Sequence, residues 1–206
     1  IRQEMEYFFN LADTGETNRL TTAINRLNPE DDVGSHTDAS LGMVWALRML
    51  DPAWRDFWDS AAPAGLPVDF QSGNGRKIII LMTDGRNGVA EGTYPQSWSA
   101  YGDLRNTLDP SLDDGGSNAD IRRAEDVLNI RALRFCELAR NKGVEVYTIA
   151  FDIDPNRDRS VNDYLQNCAS QANARVADYS LIAGRNDLSA AFQEIARQQT
   201  TISLTR

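Results

Sequence analysis

The sequence predicts an α/β fold with a mostly parallel central sheet, and three observations support this prediction. Residues 78–81 form a short apolar run rich in β-branched side chains, and residues 144–151 form a second one. Such runs are typical of strands that are buried on both faces. Helical patterns lie before, between and after the two runs, and strands that alternate with helices favour a parallel sheet with helices on both faces.

The composition is that of one globular domain covering residues 1–206. The chain is 41% hydrophobic and 25% charged, which is enough apolar material to bury a core. A net charge of −9 and a pI of about 4.6 argue against a nucleic-acid partner, because phosphates require a patch of Lys and Arg. The acidity instead suits cations or basic partners.

Neither a membrane span nor a signal peptide is evident in the sequence. No apolar run approaches the roughly 18 residues that cross a bilayer, and Ile1 does not begin a signal-peptide pattern. Because Ile1 is not a natural start, we expect any targeting or anchoring segment to lie upstream. Cys136 and Cys168 are the only cysteines, and composition alone is compatible with either a disulfide or two reduced core thiols.

The first half of the chain predicts three helices before the first strand. Residues 1–28 contain two helical pieces, and a third helix covers residues 40–50 until Pro52 closes it. The predicted apolar face of the third helix consists of Leu41, Val44, Trp45, Leu47 and Leu50. A short aromatic segment follows, and Pro and Gly mark residues 60–76 as a surface loop.

The second half predicts a long loop, a strong helix and several shorter elements. Residues 86–118 are irregular, and a loop of this length in a compact domain usually serves a function. Apolar residues recur at three- and four-residue steps over Asn118–Asn141, and Gly143 stands where a helix ends. After the second strand, the predicted elements are a helix at 160–171, a strand at 175–179, a helix at 187–198 and an edge strand at 201–205.

Polar clusters stand at the positions where the predicted strands end. Residues 35–38 (Ser-His-Thr-Asp) precede the third helix, Asp84 follows the first strand, and residues 152–158 follow the second. Because the carboxyl ends of parallel strands lie at one edge of a sheet, we expect the three clusters to meet there. Their oxygen ligands suit hard cations such as Mg²⁺, Mn²⁺ or Ca²⁺.

Each cluster also has a structural alternative. Thr37 and Asp38 fit a helix N-cap, and Asp84 fits a turn that follows a strand. The alternating Asp and Asn residues at 152–158 resemble a calcium loop. Arg157, however, occupies the sixth position, where an EF-hand requires glycine, so a solvated loop is the favoured interpretation.

Hydrolytic chemistry finds little support in the sequence. A metal-dependent hydrolase would use Asp84, Asp152 and Asp154, but no recognisable base or nucleophile accompanies these carboxylates. His36, the single histidine, lacks a nucleophile motif. Residues 73–77 resemble a phosphate loop but precede a strand instead of following one. We therefore predict a protein without enzymatic activity.

Two segments together resemble a von Willebrand factor A domain: residues 34–52 (GSHTDASLGMVWALRMLDP) and residues 78–85 (IIILMTDG). Further segments of the chain are similar to segments of the TadG-like proteins of bacterial tight-adherence pilus assembly. They are Tyr94 with Tyr101 and Gly102, RFC at 134–136, YTIAF at 147–151, LQNCAS at 165–170, Phe192 with Ile195 and Ala196, and ISLT at 202–205. The resemblance covers nearly the whole chain from about residue 20 and implies the Rossmann-like fold of this family.

The resemblance implies a metal-ion-dependent adhesion site that holds one Mg²⁺ or Mn²⁺ at the carboxyl edge of the sheet. In this family the ligands come from an Asp-x-Ser-x-Ser motif on the first strand, a later threonine and an aspartate after another strand. The last two match Thr37, through its hydroxyl, and Asp84, directly or through water. An acidic side chain of a protein partner completes the coordination. Candidates for surrounding positions, or for a secondary loop that binds Ca²⁺, are Ser35, Asp38, Asp152 and Asp154.

The chain departs from the family pattern at the first motif. No Asp-x-Ser-x-Ser occurs in the 206 residues, and the segment 13–17 has Gly15 where a hydroxyl is required. The family's first strand, first helix and following hairpin are also absent. We expect either that an upstream segment carries them or that the chain is a truncated or cleaved piece. Thr37 and Asp84 alone do not complete the near-octahedral oxygen coordination that Mg²⁺ prefers.

The resemblance also implies a compartment and a disulfide. TadG-like proteins face the periplasm or the cell exterior and carry one cysteine in the helix before a strand and another in the helix after it, as Cys136 and Cys168 are placed. Disulfides persist in that compartment, so we expect this pair to be bonded, with a contribution on the order of 3 kcal/mol. We expect membrane anchoring, at the inner membrane, only through an upstream segment.

These expectations combine into a non-enzymatic, extracytoplasmic A domain that captures a protein partner through a cation bridge in a pilus assembly or adhesion system. The loop 86–118 would shape the contact surface, and Gly42 and Trp45 would be structural. The alternative within the fold is a metal-free structural or assembly module. A cytosolic A domain that works beside ATPases is a further alternative, which a reduced cysteine pair would favour.

Overall fold

The structure is a computed structural model that describes residues 38–58, 65–73, 75–88, 98–99, 102–103, 118–154, 156, 158–169, 179–182 and 185–201. Its helices are α1 (Ala39–Leu50), a 3-10 helix (Pro52–Trp54), α2 (Arg55–Trp58), α3 (Asn118–Asn141), α4 (Arg159–Cys168) and α5 (Arg185–Thr201). Its strands are β1 (Ile78–Thr83), β2 (Trp98–Ser99), β3 (Gly102–Asp103), β4 (Glu145–Phe151) and β5 (Tyr179–Ile182). The helices predicted in residues 1–28 and most of the loop 86–118 lie outside the described residues.

The sheet is parallel, as the sequence predicts. Within the described residues it has three strands in the order β1-β4-β5. Ile78 pairs with Glu145 at the start of β1, and Thr83 pairs with Ala150 at its end. The strands β2 and β3 form a separate two-residue antiparallel pair inside the predicted long loop. The chain is therefore an α/β structure with a parallel sheet and helices.

Helices cover both faces of this sheet. Alternate side chains of β4 point to opposite faces, so each face packs against different helices. On one face, Val146 packs in a core with Met43 of α1 and Cys136 of α3. On the other face, Ile149 packs against Ile195 of α5. All seven residues of β4 are buried or half-buried, as expected for a central strand.

Burial of β1 on both faces was predicted and is wrong. Ile79 is buried, but Ile80 and Met82 on the other face are 37% and 48% exposed. The reason is positional: α5 packs over β4 and β5, and β1 is the edge of the described sheet. A continuous apolar run in the sequence does not distinguish an edge strand from a central one.

Helix α1 runs antiparallel to β1. Asp38 caps its start, and the Ala39 N–H reaches Asn87, which lies beyond the end of β1. At its other end, the Lys77 ammonium, just before β1, donates to the Leu50 carbonyl. Lysine is favourable at a helix C-terminus because it neutralises the partial negative charge there. Burial lowers the pKa of Lys77, and the nearby Asp51 carboxylate partly offsets this.

The predicted buried face of α1 needs correction. The buried residues are Ala39, Ser40, Met43 and Leu47, with Leu50 packed beside them. Leu41, Val44 and Trp45, which were predicted on the buried face, are only half-buried. Because α1 is apolar around most of its circumference, its sequence period does not identify which side meets α3 and the sheet.

Helix α3 ends as predicted. Gly143 has φ +78°, its N–H donates to the Arg140 carbonyl, and the Val144 N–H donates to the Ala139 carbonyl. This pair of bonds is a Schellman motif, in which glycine accepts the left-handed conformation without a Cβ clash. The predicted disulfide is also present: Cys136 of α3 is bonded to Cys168 of α4.

The remaining boundaries differ from the predictions by a few residues. Helix α4 ends at Cys168 instead of 171, where Ala169 leaves the helical conformation with ψ 146°, and Arg140 donates to the carbonyls of Asn167 and Cys168 at 3.0 and 2.5 Å. Strand β5 begins at Tyr179, the last residue of its predicted range, and α5 continues through Thr201, the first residue of the predicted edge strand. The other residues of these two predictions, 175–178 and 202–205, lie outside the described residues. None of the described helices is long and apolar enough to cross a bilayer.

Candidate functional site

The end of β1 forms a tight turn that presents Asp84. The Thr83 hydroxyl donates to the Gly85 carbonyl at 3.0 Å and accepts from the Gly85 N–H at 3.3 Å. Thr83 is buried, whereas Asp84 is exposed. The threonine therefore closes the turn, and the Asp84 carboxylate faces solvent without a hydrogen bond to the described residues. The turn-forming role that was predicted as the alternative for Asp84 is therefore performed by Thr83.

Asn87 ties this turn to the start of α1. Its side chain is 1% exposed, and its Oδ1 accepts from the Ala39 N–H at 2.7 Å. Its Nδ2 donates to Oδ1 of Asn129 on α3, also at 2.7 Å. The start of α1 and the turn after β1 are therefore in contact, whereas residues 35–37 of the first predicted cluster lie outside the described residues. Asn87 was not singled out there, because an asparagine in a polar loop carries no signal of a partner 48 residues away.

Asp38 is the N-cap of α1, which confirms the structural alternative for this residue. Its Oδ1 accepts from the backbone N–H groups of Ser40 and Leu41, at 3.0 and 3.3 Å, and from the Ser40 hydroxyl. Its Oδ2 is buried without a hydrogen-bond partner among the described residues. A buried carboxylate oxygen without a donor is energetically costly. Asp38 thus has one oxygen engaged in capping and one available to a cation or a water.

The loop after β4 reaches the same edge through an ion pair. Arg86 lies next to the Asp84 turn, and its guanidinium contacts Oδ1 of Asp158 at 3.1 Å. The Asp158 N–H in turn donates to the Asp154 carbonyl at 2.7 Å. The Arg86 guanidinium therefore links the segment after β1 to the loop after β4.

The interior of the loop 152–158 is built by local turns. Oδ1 of Asp154 accepts from the Asn156 N–H at 2.9 Å, and Asp152 adopts a positive φ of +53°. Both aspartates are exposed. An Asx turn of this kind holds the loop through its own backbone, which is the behaviour of the solvated loop that the sequence favoured.

The described residues do not assemble a metal site by themselves. Within the part of the chain that the structure describes, no three His, Cys, Asp or Glu side chains gather closely enough to hold an ion. Ser35, His36 and Thr37 lie outside the described residues, so the threonine ligand implied by the resemblance stays a prediction. Asp38, Asp84, Asp152 and Asp154 are described: Asp38 stands at the start of α1, Asp84 follows β1, and Asp152 and Asp154 follow β4.

The buried phenol of Tyr164 packs beneath the start of α1. Tyr164 of α4 is 3% exposed, and its hydroxyl makes no hydrogen bond of good geometry to the described residues. Burial raises the pKa of Tyr164, and the Asn87 side chain offsets a smaller part of this shift. Tyr164 also packs in one core with Ala39. The start of α1, the Asn87 turn and α4 therefore form one packed unit.

Comparison with known proteins gives no relative for this chain. No protein-family model, no curated protein and no solved structure matches it. The resemblance to von Willebrand A domains therefore rests on the motifs of the sequence.

Proposed function

We propose that this chain is a binding domain of von Willebrand A type that captures a protein partner through a divalent cation at the carboxyl edge of its sheet. It works without enzymatic activity, in a Tad-type pilus assembly or adhesion system. The observation that supports this most is the bond from Asn87 to Ala39. It holds the start of α1, one residue after Asp38, against the turn that carries Asp84.

The proposed site draws its oxygen ligands from both sides of this junction. Thr37 immediately precedes Asp38 in the chain, so its hydroxyl would reach the ion from the α1 side. Asp84 would reach it from the β1 side, directly or through water. Oδ2 of Asp38, which has no hydrogen-bond partner among the described residues, is suited to a water bound to the ion. The remaining ligands would come from an Asp-x-Ser-x-Ser segment outside these 206 residues and from a carboxylate of the partner.

The chemistry of these donors suits Mg²⁺ or Mn²⁺. Hydroxyl, carboxylate and water oxygens are the ligands that such hard cations prefer. A carboxylate of the partner is suited to the remaining coordination position, because its attraction to the ion would offset the free-energy cost of removing it from water. The proposal therefore predicts a partner with an exposed Asp or Glu at its contact surface.

The disulfide supports an extracytoplasmic location. Cys136 and Cys168 are bonded and both side chains are fully buried. Structural disulfides persist in oxidising compartments and are rare in the cytosol. This favours a periplasmic or cell-surface domain over the cytosolic alternative, in which the pair would be reduced.

The test is calorimetric titration of Mn²⁺ and Mg²⁺ into this chain and into the complete gene product. Asp84→Ala removes the exposed ligand, and Asp163→Ala, an exposed aspartate on α4, is the matched control. We expect binding that Asp84→Ala abolishes and Asp163→Ala preserves, with full affinity only in the complete product. No binding in any version contradicts the cation bridge. Binding that survives Asp84→Ala assigns the ion to the loop 152–158.

One observation favours a metal-free assembly module as the second candidate. The Arg86 guanidinium already joins the Asp84 turn to Asp158, so a protein cation neutralises part of this acidic edge. A metal-free module would hold its partner equally well in the presence of a chelator. Partner capture by the complete product with and without EDTA separates the two candidates.

A further inference from the structure

The end of the domain opposite Asp84 carries an aromatic cluster, defined here as Trp45, Trp54 and Phe57. The Trp45 and Trp54 rings meet edge to face, with centroids 6.1 Å apart, and Phe57 meets Trp54 in the same manner at 5.0 Å. Phe57 is 50% exposed, and the two tryptophans are half-buried. Because α1 runs antiparallel to β1, this cluster near its last turns lies away from the Asp84 edge.

Arg48 contacts both tryptophans of the aromatic cluster. Its guanidinium carbon lies 5.0 Å from the Trp45 ring centroid and 5.1 Å from the Trp54 ring centroid. These distances are within the range of cation–π attraction. Ring contacts of this kind orient a guanidinium and leave its N–H groups available to acceptors in its own plane.

The other cations at this end of the domain have oxygen partners. Arg55 donates to the Pro67 carbonyl and to Asp69, and Lys77 donates to the Leu50 carbonyl. Lys142 contacts Oδ2 of Asp51 at 3.4 Å. Arg48 differs from them, because within the described residues its guanidinium has ring contacts but no carboxylate or carbonyl acceptor.

Two acidic groups that the structure describes near this end, Asp51 and Asp69, have other partners. Asp51 caps the 3-10 helix by accepting from the Ala53 N–H, and its other oxygen contacts Lys142. Asp69 pairs with Arg55. Neither of these carboxylates accepts from Arg48, so its guanidinium is open to an oxygen acceptor of another molecule.

We propose that Arg48 and the aromatic cluster form a docking site for an acidic peptide segment of a protein partner. The Asp or Glu carboxylate of the segment accepts two N–H groups of Arg48 in the bidentate geometry that guanidinium favours. An apolar side chain beside it packs on the half-exposed Phe57. Trp and Arg are the residues that most often carry the binding energy of protein interfaces, which suits this composition.

Charge selects a carboxylate over a polyanion. The guanidinium of Arg48 matches one carboxylate, because Arg55, Lys77 and Lys142 nearby already contact oxygen atoms of the protein, and Asp51 and Asp69 offset part of their charge. The inference does not rest on the proposed cation site, because it uses no residue of the Asp84 edge. A domain with both sites would hold one partner at each end of α1.

The experiment is selection of a random phage-displayed peptide library on the immobilised protein, with counter-selection on Arg48→Gln. The enriched peptides are then synthesised and titrated by calorimetry against four proteins. These are the unsubstituted chain, Arg48→Gln, Arg48→Lys, which keeps the charge but not the planar fork, and Arg134→Gln, an exposed arginine of α3 that serves as the matched control.

We expect the library to converge on Asp or Glu next to an apolar residue. Arg48→Gln should weaken binding about thirtyfold, the effect of a typical interface hot spot, and Arg48→Lys about tenfold. Replacing the peptide Glu by Gln should have the same effect on the unsubstituted chain, which tests the pairing without altering the protein. Arg134→Gln should leave the affinity unchanged.

Three results would overturn the proposal. The first is the absence of any enrichment that depends on Arg48, and the second is convergence on peptides without an acidic residue. The third is binding to phosphatidylglycerol vesicles that Arg48→Gln abolishes while no peptide binds, which would assign the surface to lipid instead.

Discussion

Oδ1 of Asn87 accepts the N–H of Ala39 at 2.7 Å, and this one bond joins the turn after β1 to the first residue of α1. The two residues are 48 positions apart in the chain. The bond is buried, and the Nδ2 of the same side chain is held by Asn129 at 2.7 Å. Asn87 therefore fixes the spacing between the Asp84 turn, α1 and α3.

Replacement of Asn87 by alanine should destabilise the fold. The change leaves the buried Ala39 N–H and the Asn129 oxygen without partners, each at a cost of roughly 1–3 kcal/mol, so we expect a loss of about 2–4 kcal/mol. Urea unfolding followed by circular dichroism measures it. Asn167→Ala is the control, because Asn167 is exposed and its side chain donates to the Asp163 carbonyl of its own helix. Equal losses in the two variants would contradict the role given to Asn87.

Removal of the disulfide should have a larger effect. Cys136 and Cys168 are 32 positions apart and their side chains are fully buried. Loss of the cross-link and of two buried sulfurs in the double Cys→Ala variant should lower the free energy of unfolding by about 3–5 kcal/mol. Urea unfolding of the variant, of the native protein and of the native protein with a reductant provides the comparison. A reductant should bring the native midpoint close to that of the variant, and no shift would refute the estimate.

The elements that the sequence predicted well have local signals. The bounds of α3 follow from its apolar period and from Gly143, and β4 follows from a β-branched run flanked by polar residues. The exposure of Ile80, by contrast, depends on which strands and helices flank β1. The buried face of α1 likewise depends on its packing against α3 and the sheet. Tertiary packing decides such features, and a one-dimensional pattern does not contain it.

The candidate site also combines features that the sequence predicts with features that only tertiary contacts determine. Topology alone predicted that the ends of β1 and β4 share an edge with the start of α1, and the structure brings the described parts together. The residues that hold this edge were not predictable, because their partners are remote in sequence. Asn87 reaches Ala39, and Arg86 reaches Asp158 across 72 positions. Polar residues in loops are common, and only the folded chain shows which of them are bonded.

Tyr164 should make the stability depend on pH in the alkaline range. Burial raises the pKa of Tyr164 in the folded state, so the unfolded state loses the phenolic proton first as the pH rises. This destabilises the fold above the unfolded pKa of about 10, by up to about 1.4 kcal/mol per pH unit, and has no effect at neutral pH. Tyr164→Phe should abolish this contribution.

The measurement for Tyr164 is the difference in unfolding free energy between the native protein and Tyr164→Phe from about pH 7 to about pH 11, which spans the unfolded pKa. We expect a constant difference well below that pKa and a growing advantage of the variant above it. The subtraction removes the contribution of Lys77, whose lowered pKa makes the stability rise with pH below its ordinary value of 10.5. A difference that stays constant throughout would show that the phenol ionises equally in both states.

Two glycines should respond oppositely to alanine. A Cβ at Gly143 would lie 2.8 Å from Cγ of Gln71, and its φ of +78° is unfavourable for any L side chain. We expect Gly143→Ala to lose about 1–2 kcal/mol. Gly42 lies inside α1, and a Cβ added there would have no contact within 4 Å, so Gly42→Ala should gain about 0.5–1 kcal/mol from helix propensity. Thermal unfolding of the pair tests both signs, and a stabilised Gly143→Ala would disprove the Schellman assignment.

The disulfide also determines how the chain carries mechanical load. A pulling force that enters along α3 passes from Cys136 directly to Cys168, so the 32-position segment between them, which includes β4, bears no tension. That segment would otherwise release about 110 Å of contour when stretched. Under tension this segment therefore stays within the cross-linked loop while the flanking parts, which include β1 and β5, extend. In single-molecule pulling, the reduced protein would be longer than the oxidised protein by this amount.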